Sequence, residues 1–396
     1  MLADTTMDNA IDLERRYGAR NYAPLDVVLS RGAGVWLWDR EGRRYMDFMS
    51  AYSAVSLGHG HPRIRQALTE QASRLAVVSR AFHSDNLGAF LESLCAVTGF
   101  DAALPMNTGA EAVETAIKAA RRWGYDRKGI PADKAEIIVA AGNFHGRTTT
   151  IVGFSSDAEY RRGFGPFAPG FVTVPFGDAA AAERAVTSNT CAILMEPIQG
   201  EGGIIVPPDG YLRELRRICD EHNVLLILDE IQSGLCRTGA WFAFEHEGIR
   251  PDGMTLGKAL GGGMLPVSAF VARREVMDVF DAGSHGSTFG GNLLAAAVGR
   301  ETLKVMADED LANHSAELGR HLVESLRAMK SPLVRDIRGR GLWVGLELEP
   351  DRMSGRAFVE RLRTRGILTR ETHETVIRLA PPLVISSAEL DWALER

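Results

Sequence analysis

Short, almost wholly apolar runs bounded by turn residues recur along the chain. Ile137 to Ala141, Ala192 to Met195, Val224 to Leu228 and Val267 to Ala272 are too short for helices and lack polar alternation, so they predict buried strands. Helical patterns lie between them. In Ala110 to Trp123 the residues Val113, Ile117 and Ala120 share one face and Gly124 is expected to stop the helix; Tyr211 to His222 reads as another helix. Strands alternating with helices predict a mainly parallel sheet covered on both faces. The pattern changes near the C-terminus. Leu342 to Leu348, after the turn Gly339 to Gly341, and Val376 to Leu379 predict strands of a smaller α+β unit, reached through a charged helical stretch from about Leu293 to Lys330. A chain of 396 residues exceeds one simple core. We expect an N-terminal segment at 1–59 packing with the small domain, a large domain at 60–298 and a small domain at 299–396.

Composition narrows the partners. Hydrophobic residues at 45% and charged residues at 24% suit a soluble globular protein, and a net charge of -6 offers no general attraction to nucleic acid or anionic lipid. A small-molecule partner is therefore expected. No apolar run approaches the ~18 residues needed to cross a bilayer. Met1 to Tyr17 lacks the apolar centre of a secretory signal, which makes the cytoplasm the default expectation. Cys95, Cys191, Cys219 and Cys236 are scattered without a CxxC pair, so neither a disulfide framework nor a zinc site is supported. His59 and His61 in Gly-His-Gly-His-Pro have no third ligand in the pattern, and no metal is expected.

Ligands of open α/β sheets gather beyond the carboxyl ends of the strands. Three predicted strands end in functional side chains: Asp229 and Glu230 after Leu228, Glu196 after Met195, and Asn143-Phe144-His145-Gly146-Arg147 after Ala141. Each alone is compatible with a helix cap or a surface ion pair. Lys258 stands in Thr255-Leu-Gly-Lys258-Ala-Leu-Gly-Gly-Gly263, where close backbone would desolvate its amine and make it nucleophilic. The segment is not a phosphate-binding P-loop, which needs Gly at Asp252 and Ser or Thr at Ala259. Together the residues meet the needs of pyridoxal 5'-phosphate. Lys258 supplies a Schiff-base lysine, Asp229 an anion for the pyridine nitrogen, and Asn107-Thr108-Gly109-Ala110 a helix start suited to a phosphate.

In order along the chain, Leu228-Asp-Glu-Ile-Gln232-Ser-Gly234, Arg237-Thr-Gly239, Pro251-Asp252 and Gly257-Lys258 resemble the signature of the class III aminotransferases. The resemblance covers nearly the whole chain. It implies the pyridoxal-phosphate fold type I, aspartate aminotransferase-like, an α/β architecture with a mainly parallel sheet in a large domain and a smaller α+β domain. It also implies that Lys258 carries the cofactor and moves the proton while Asp229 pairs with the ring nitrogen. Phe144 would stack on the ring, Gln232 would lie beside its hydroxyl, and Gly109 and Ala110 would hold the phosphate. Thr288 from a neighbouring subunit would join them, which implies a homodimer.

Within the class, Asn21-Tyr22-Ala-Pro, Ser50-Ala-Tyr52-Ser-Ala-Val, Gly163-Phe-Gly-Pro-Phe, His285-Gly-Ser-Thr288 and Ile377-Arg378-Leu-Ala-Pro-Pro are most similar to the ornithine aminotransferases. That subgroup moves the terminal amine of L-ornithine to 2-oxoglutarate, forming L-glutamate. The resemblance implies that Arg147 holds the α-carboxylate of ornithine, with Tyr22 at its α-amine, and later the side-chain carboxylate of glutamate. Arg378 would bind the α-carboxylate of glutamate, and Glu201 would neutralise Arg378 while ornithine is bound. Glu196 would orient nearby polar groups. His145 departs from the subgroup, several members of which carry tryptophan there. N-acetylornithine and 4-aminobutyrate are the rival donors, with Tyr22 and Tyr52 as the discriminating residues. A sensor that binds the cofactor without turnover would have no need of two arginines.

Overall fold

The computed structural model describes residues 7–396, so the first six residues of the expected N-terminal segment lie outside the described residues. Its centre is a seven-stranded sheet. The strand order is Ala102–Met106, Ser268–Ala272, Gly253–Leu256, Leu225–Asp229, Thr190–Met195, Glu136–Ala140 and Phe171–Val174. Ser268–Ala272 runs antiparallel to both neighbours, and every other pairing is parallel. Ile193, Leu226 and Met254 are wholly buried, because helices cover both faces of the sheet. The apolar runs therefore mark these strands to within about two residues at each end.

Three strands of this sheet escape the pattern. Gly253-Met-Thr-Leu256 is short and opens on glycine, Phe171–Val174 is equally short, and Ala102–Met106 contains Pro105. A proline removes a ladder donor and is tolerated on an edge strand, which is where Pro105 lies.

Gly124 corrects the expected helix stop. Helix Gly109–Trp123 continues as a wide turn over Gly124–Lys128 and ends at left-handed Gly129. Gly124 itself is helical, and a Cβ there would lie 2.8 Å from Cys191 Cβ, so the glycine serves packing rather than termination. The long charged stretch is two helices, Leu293–Asp308 and Leu311–Ala328, separated at Asp310 with φ 48°.

Two smaller sheets flank the centre. Val334–Arg340, Trp343–Leu348, Val376–Leu379 and Arg370–Thr372 form an antiparallel sheet in that order. Leu29–Ala33, Trp36–Asp39 and Arg44–Asp47 form the other, and Ile367–Leu368 adds to it in parallel. The N-terminal segment is thus hydrogen-bonded to a strand near the C-terminus. Boundaries at 59 and 298 stand as our proposed division.

Two buried ionisable side chains, Arg237 and Glu230, hold neighbouring elements together. Arg237 is fully buried and donates to Leu342 O (3.0 Å), Pro381 O (2.7 Å) and Ser56 Oγ (3.0 Å), joining three distant parts of the chain. Burial brings its pKa down to about 9, and it keeps its proton at neutral pH. Glu230 accepts from Ser233 Oγ (2.5 Å) and from the Phe244 amide (3.0 Å), fixing the loop after the strand end.

Burial pushes the Glu230 carboxyl up to about 7, so folding favours its protonated form. Its contribution to stability is complete below the ordinary carboxyl range and is lost as pH rises through 7. Gln in its place can keep both hydrogen bonds without the charge. We expect Glu230→Gln to match the parent near pH 4 and to exceed it at pH 8, by an amount on the order of 3 kcal/mol. Thermal melts across that range check this, and an unchanged pH dependence would contradict it.

Candidate active site

The carboxyl ends of the parallel strands open into a cavity of about 250 Å³, with Lys258, Asp229, Phe144, Glu196, Gln232 and the helix start at Gly109 and Ala110 in its wall. Sheet topology explains the assembly. Leu225–Asp229 delivers its last residue directly, and the segments after Glu136–Ala140, Thr190–Met195 and Gly253–Leu256 deliver Phe144, Glu196 and Lys258.

Asp229 is buried and fully held. One carboxylate oxygen accepts from the Ile231 amide (3.1 Å) and the Thr255 hydroxyl (2.9 Å), and the other meets His145 Nδ1 at 2.6 Å. His145 is also buried, and its Nε2 has no partner among the described residues. Burial works against its charged form, but the hydrogen bond and charge of Asp229, helped by Glu196, outweigh that and raise its pKa. Glu196 accepts from the amides of Phe144 (2.9 Å) and Gly200 (3.1 Å). Its burial pushes the carboxyl up to about 7. His145 is the functional residue that sequence reasoning missed. Its motif was visible, but its partner lies 84 positions away and only the sheet brings them together.

Lys258 follows Gly257 in a left-handed conformation, φ 44°, which strains a residue with a Cβ by about 1–3 kcal/mol. It keeps part of its surface open to the cavity and makes no hydrogen bond or ion pair among the described residues. Burial lowers its pKa, against the pull of Asp229 and Glu201. The result is an amine poised as a nucleophile.

The helix start is equally specific. Thr108 Oγ1 accepts from the Glu111 amide (3.3 Å), and the Glu111 carboxylate accepts from the Thr108 amide (2.7 Å). This capping box satisfies the cap and the third position, leaving the Gly109 and Ala110 amides without a protein acceptor. Two free amides at the positive end of a 15-residue helix suit a phosphate. A Cβ on Gly109 would lie 2.9 Å from Ile231 Cδ1, so a larger residue there would push the Ile231 side chain aside where the helix start meets the strand loop.

Two arginines, each in contact with a residue of the cavity wall, stand in opposite states. Arg378, buried on strand Val376–Leu379, is ion-paired through Nη1 with Glu201, donates from Nη2 to Gln232 Oε1 (2.7 Å) and lies 5.2 Å from the Tyr52 ring centre. Burial would raise the Glu201 carboxyl, but the Arg378 charge and hydrogen bond hold it below the usual range. Gln232 Nε2 is buried and unpartnered. Arg147 makes no hydrogen bond or ion pair among the described residues and stacks 3.6 Å from the Tyr160 ring centre and 5.6 Å from that of Phe144.

Tyr52 rides on a left-handed turn. Ser50, Ala51, Tyr52 and Ser53 have φ of 47°, 45°, 62° and 72°. Such a turn is disfavoured by about 1–2 kcal/mol per residue. It is held by the Asp47 carboxylate, which accepts from the Met49 and Ser50 amides at 2.8 Å, and by Ser50 Oγ donating to Ala380 O at 2.7 Å. The second bond ties the turn to the chain just beyond Arg378.

The cavity gathers Lys258, Asp229, Gly109, Ala110, Phe144 and Gln232, with Glu201, Arg378 and Tyr52 linked to Gln232 and Arg147 against Phe144. It does not gather two others. Tyr22 is 70% exposed and lines a separate groove formed by residues 10–29. Thr288 is exposed on the loop before Phe289, outside the cavity.

The family model described as "Aminotransferase class-III" matches residues 17–396. "Ornithine aminotransferase 2" of Staphylococcus aureus is 56% identical over 392 residues, spanning 99% of this chain and 98% of that protein. Among solved structures, the ornithine aminotransferase from Toxoplasma gondii ME49 superposes with a TM-score of 0.98 at 43% identity, covering 100% of this chain and 94% of that one. The acetylornithine aminotransferase from Elizabethkingia anophelis gives 0.91 at 47%, covering 99% and 98%.

The His145–Asp229 pair generates a direct test. Asp229 is what outweighs burial at His145, so Asp229→Asn should drop the imidazole from above its ordinary pKa to below it. Nitrogen NMR of the labelled histidine rings would read the shift, and an unchanged His145 titration would refute the coupling.

Proposed function

The chain belongs to the class III aminotransferases, and from that premise we propose that it is an ornithine δ-aminotransferase, moving the terminal amine of L-ornithine to 2-oxoglutarate to give glutamate 5-semialdehyde and L-glutamate. Its cofactor is pyridoxal 5'-phosphate. The cavity fits that group. It offers an unpaired amine, a held carboxylate, two free amides, the Phe144 ring and the orphaned Gln232 Nε2. When bound, pyridoxal phosphate supplies a carbonyl that accepts amines and a ring that withdraws electrons from the carbon losing its proton.

The chain's own residues do the rest. Lys258 Nζ would hold the cofactor and would carry the proton that the amine-bearing carbon of the substrate loses. Asp229, fixed by Thr255 and His145, would keep the ring nitrogen protonated. Gly109 and Ala110 would bind the phosphate, Phe144 would cover one ring face, and Gln232 would approach the ring hydroxyl. Glu196 orients Phe144 through its amide.

The observation that carries the substrate reading is the unequal state of the two arginines. Ornithine has one carboxylate, far from the reacting amine; glutamate has a second one beside it. Arg147, with no anionic partner, suits the far carboxylate of either substrate. Arg378 is neutralised by Glu201 and offers ornithine nothing to misalign on. Glutamate's α-carboxylate can replace Glu201 by exchanging one charge-assisted pair for another, which requires little net energy. Tyr52 stands beside Arg378, and Tyr22 would close over ornithine's α-amine from the N-terminal segment.

A second copy of the chain belongs in the same proposal. Phe82 (71% exposed), Phe289 (56%), Leu75 (47%) and Val77 (39%) are large apolar side chains facing solvent in one chain. Phe289 and Val77 border one groove, beside Thr288. A homodimer would cover them and carry Thr288 to the neighbouring phosphate site. No helix among the described residues is long and apolar enough to cross a membrane, and we propose a cytoplasmic location. The likeness to an acetylornithine enzyme supports N-acetylornithine as the rival donor.

Initial rates with ornithine, N-acetylornithine and 4-aminobutyrate against 2-oxoglutarate test this. Ornithine should be fastest by at least about tenfold. Lys258→Ala should abolish turnover with all three. A faster rate with either rival donor would overturn the substrate assignment.

A further inference from the structure

Tyr160 has no role in the account so far. It stands on the one-turn helix Ala158–Arg161, and its ring carries the Arg147 guanidinium at 3.6 Å while Phe144 meets it edge-on at 6.1 Å and 79°. Those two rings are the only anchors of Arg147, which has neither a hydrogen bond nor an ion pair among the described residues.

We propose that Tyr160 is a positioning residue for substrate carboxylates, its ring serving as the platform that holds the Arg147 guanidinium in place. The proposal rests on the reading of Arg147 as the grip for the far carboxylate. Stacking engages the face of a guanidinium and leaves the N–H donors at its edge unused, so Arg147 is ordered while keeping its full capacity for a bidentate carboxylate. An acidic partner would order the side chain too, but would neutralise it, as Glu201 does at Arg378. Burial raises the Tyr160 phenol above its ordinary pKa, with Arg147 opposing and Glu201, Asp157 and Tyr52 adding to the rise. The ring therefore stays neutral across the working range.

Because Arg147 serves both substrates, loss of the platform has a signature that loss of Arg378 lacks: ornithine and 2-oxoglutarate weaken together. The test uses the holoenzyme and the variants Tyr160→Phe, Tyr160→Leu and Tyr160→Gln, with Arg147→Leu as a reference. The readouts are KM and kcat for each substrate and the dissociation constant of glutarate, an unreactive dicarboxylate, followed by the absorbance of the bound cofactor. Phe should keep all three constants within about twofold. Leu and Gln should each raise both KM values and the glutarate constant about tenfold, with kcat within about twofold. Unchanged KM values in Leu and Gln, with Arg147→Leu weakened, would overturn the platform alone. Unchanged binding in Arg147→Leu would instead remove the carboxylate reading beneath it. A loss in Phe equal to that in Leu would also refute the proposal, since the ring would then not be what matters.

Discussion

The ion pair between Arg378 and Glu201 is the interaction on which the rest of the site turns. A buried guanidinium without an anion would be costly, and one permanently paired would be useless to a substrate. On the proposed reading Glu201 resolves this by being an exchangeable partner: it is one-fifth exposed, while Arg378 is almost wholly enclosed. The arginine is further held by Gln232, a residue of the cavity wall whose buried Nε2 has no partner among the described residues. Thr372 donates to the Glu201 carbonyl at 2.7 Å, so the backbone can stay fixed while the side chain moves. Arg147 is the counterpart, ordered by aromatic faces and left charged. On that reading one pocket would present one grip at all times and a second on demand.

Holding such groups in place draws on strain elsewhere. Lys258 and the whole turn Ser50–Ser53 are left-handed without being glycine. Neither conformation is chosen by local preference. Each persists because other parts of the fold fix it, Ile231 packing against Gly257 just before the lysine and Asp47 and Ala380 bonding the turn. Arg237 adds a buried link from the loop after the central strand to Ser56, Leu342 and Pro381. Segments that are far apart in sequence are therefore rigidly related at the cavity, which a two-carboxylate site requires.

Much of this was legible in the sequence because buried parallel strands announce themselves as apolar runs and their ends as the ligand side. Asp229, Glu196 and Phe144 could be placed on that basis, the helix start Asn107–Ala110 followed from the helical pattern after it, and the match to a family signature joined them to Lys258. What was not legible depended on contacts between distant segments. His145 gains its meaning only from Asp229, Tyr160 only from Arg147, and the left-handed turn from Ala380. Gly124 misled because a glycine beside a helix end suggests a stop, whereas here it makes room for Cys191. Short strands such as Gly253–Leu256 were invisible because pairing with longer neighbours, and not their own residues, makes them strands.

The central claim is that Glu201 masks Arg378 from one substrate and yields it to the other. Rapid-mixing measurement of the two half-reactions in Glu201→Ala, each followed by cofactor absorbance, tests it most directly. With the mask removed, the glutamate half-reaction should gain at least about tenfold on the ornithine half-reaction relative to the parent enzyme, because the α-carboxylate no longer has a competitor. A ratio of the two rates equal to that of the parent would contradict the account.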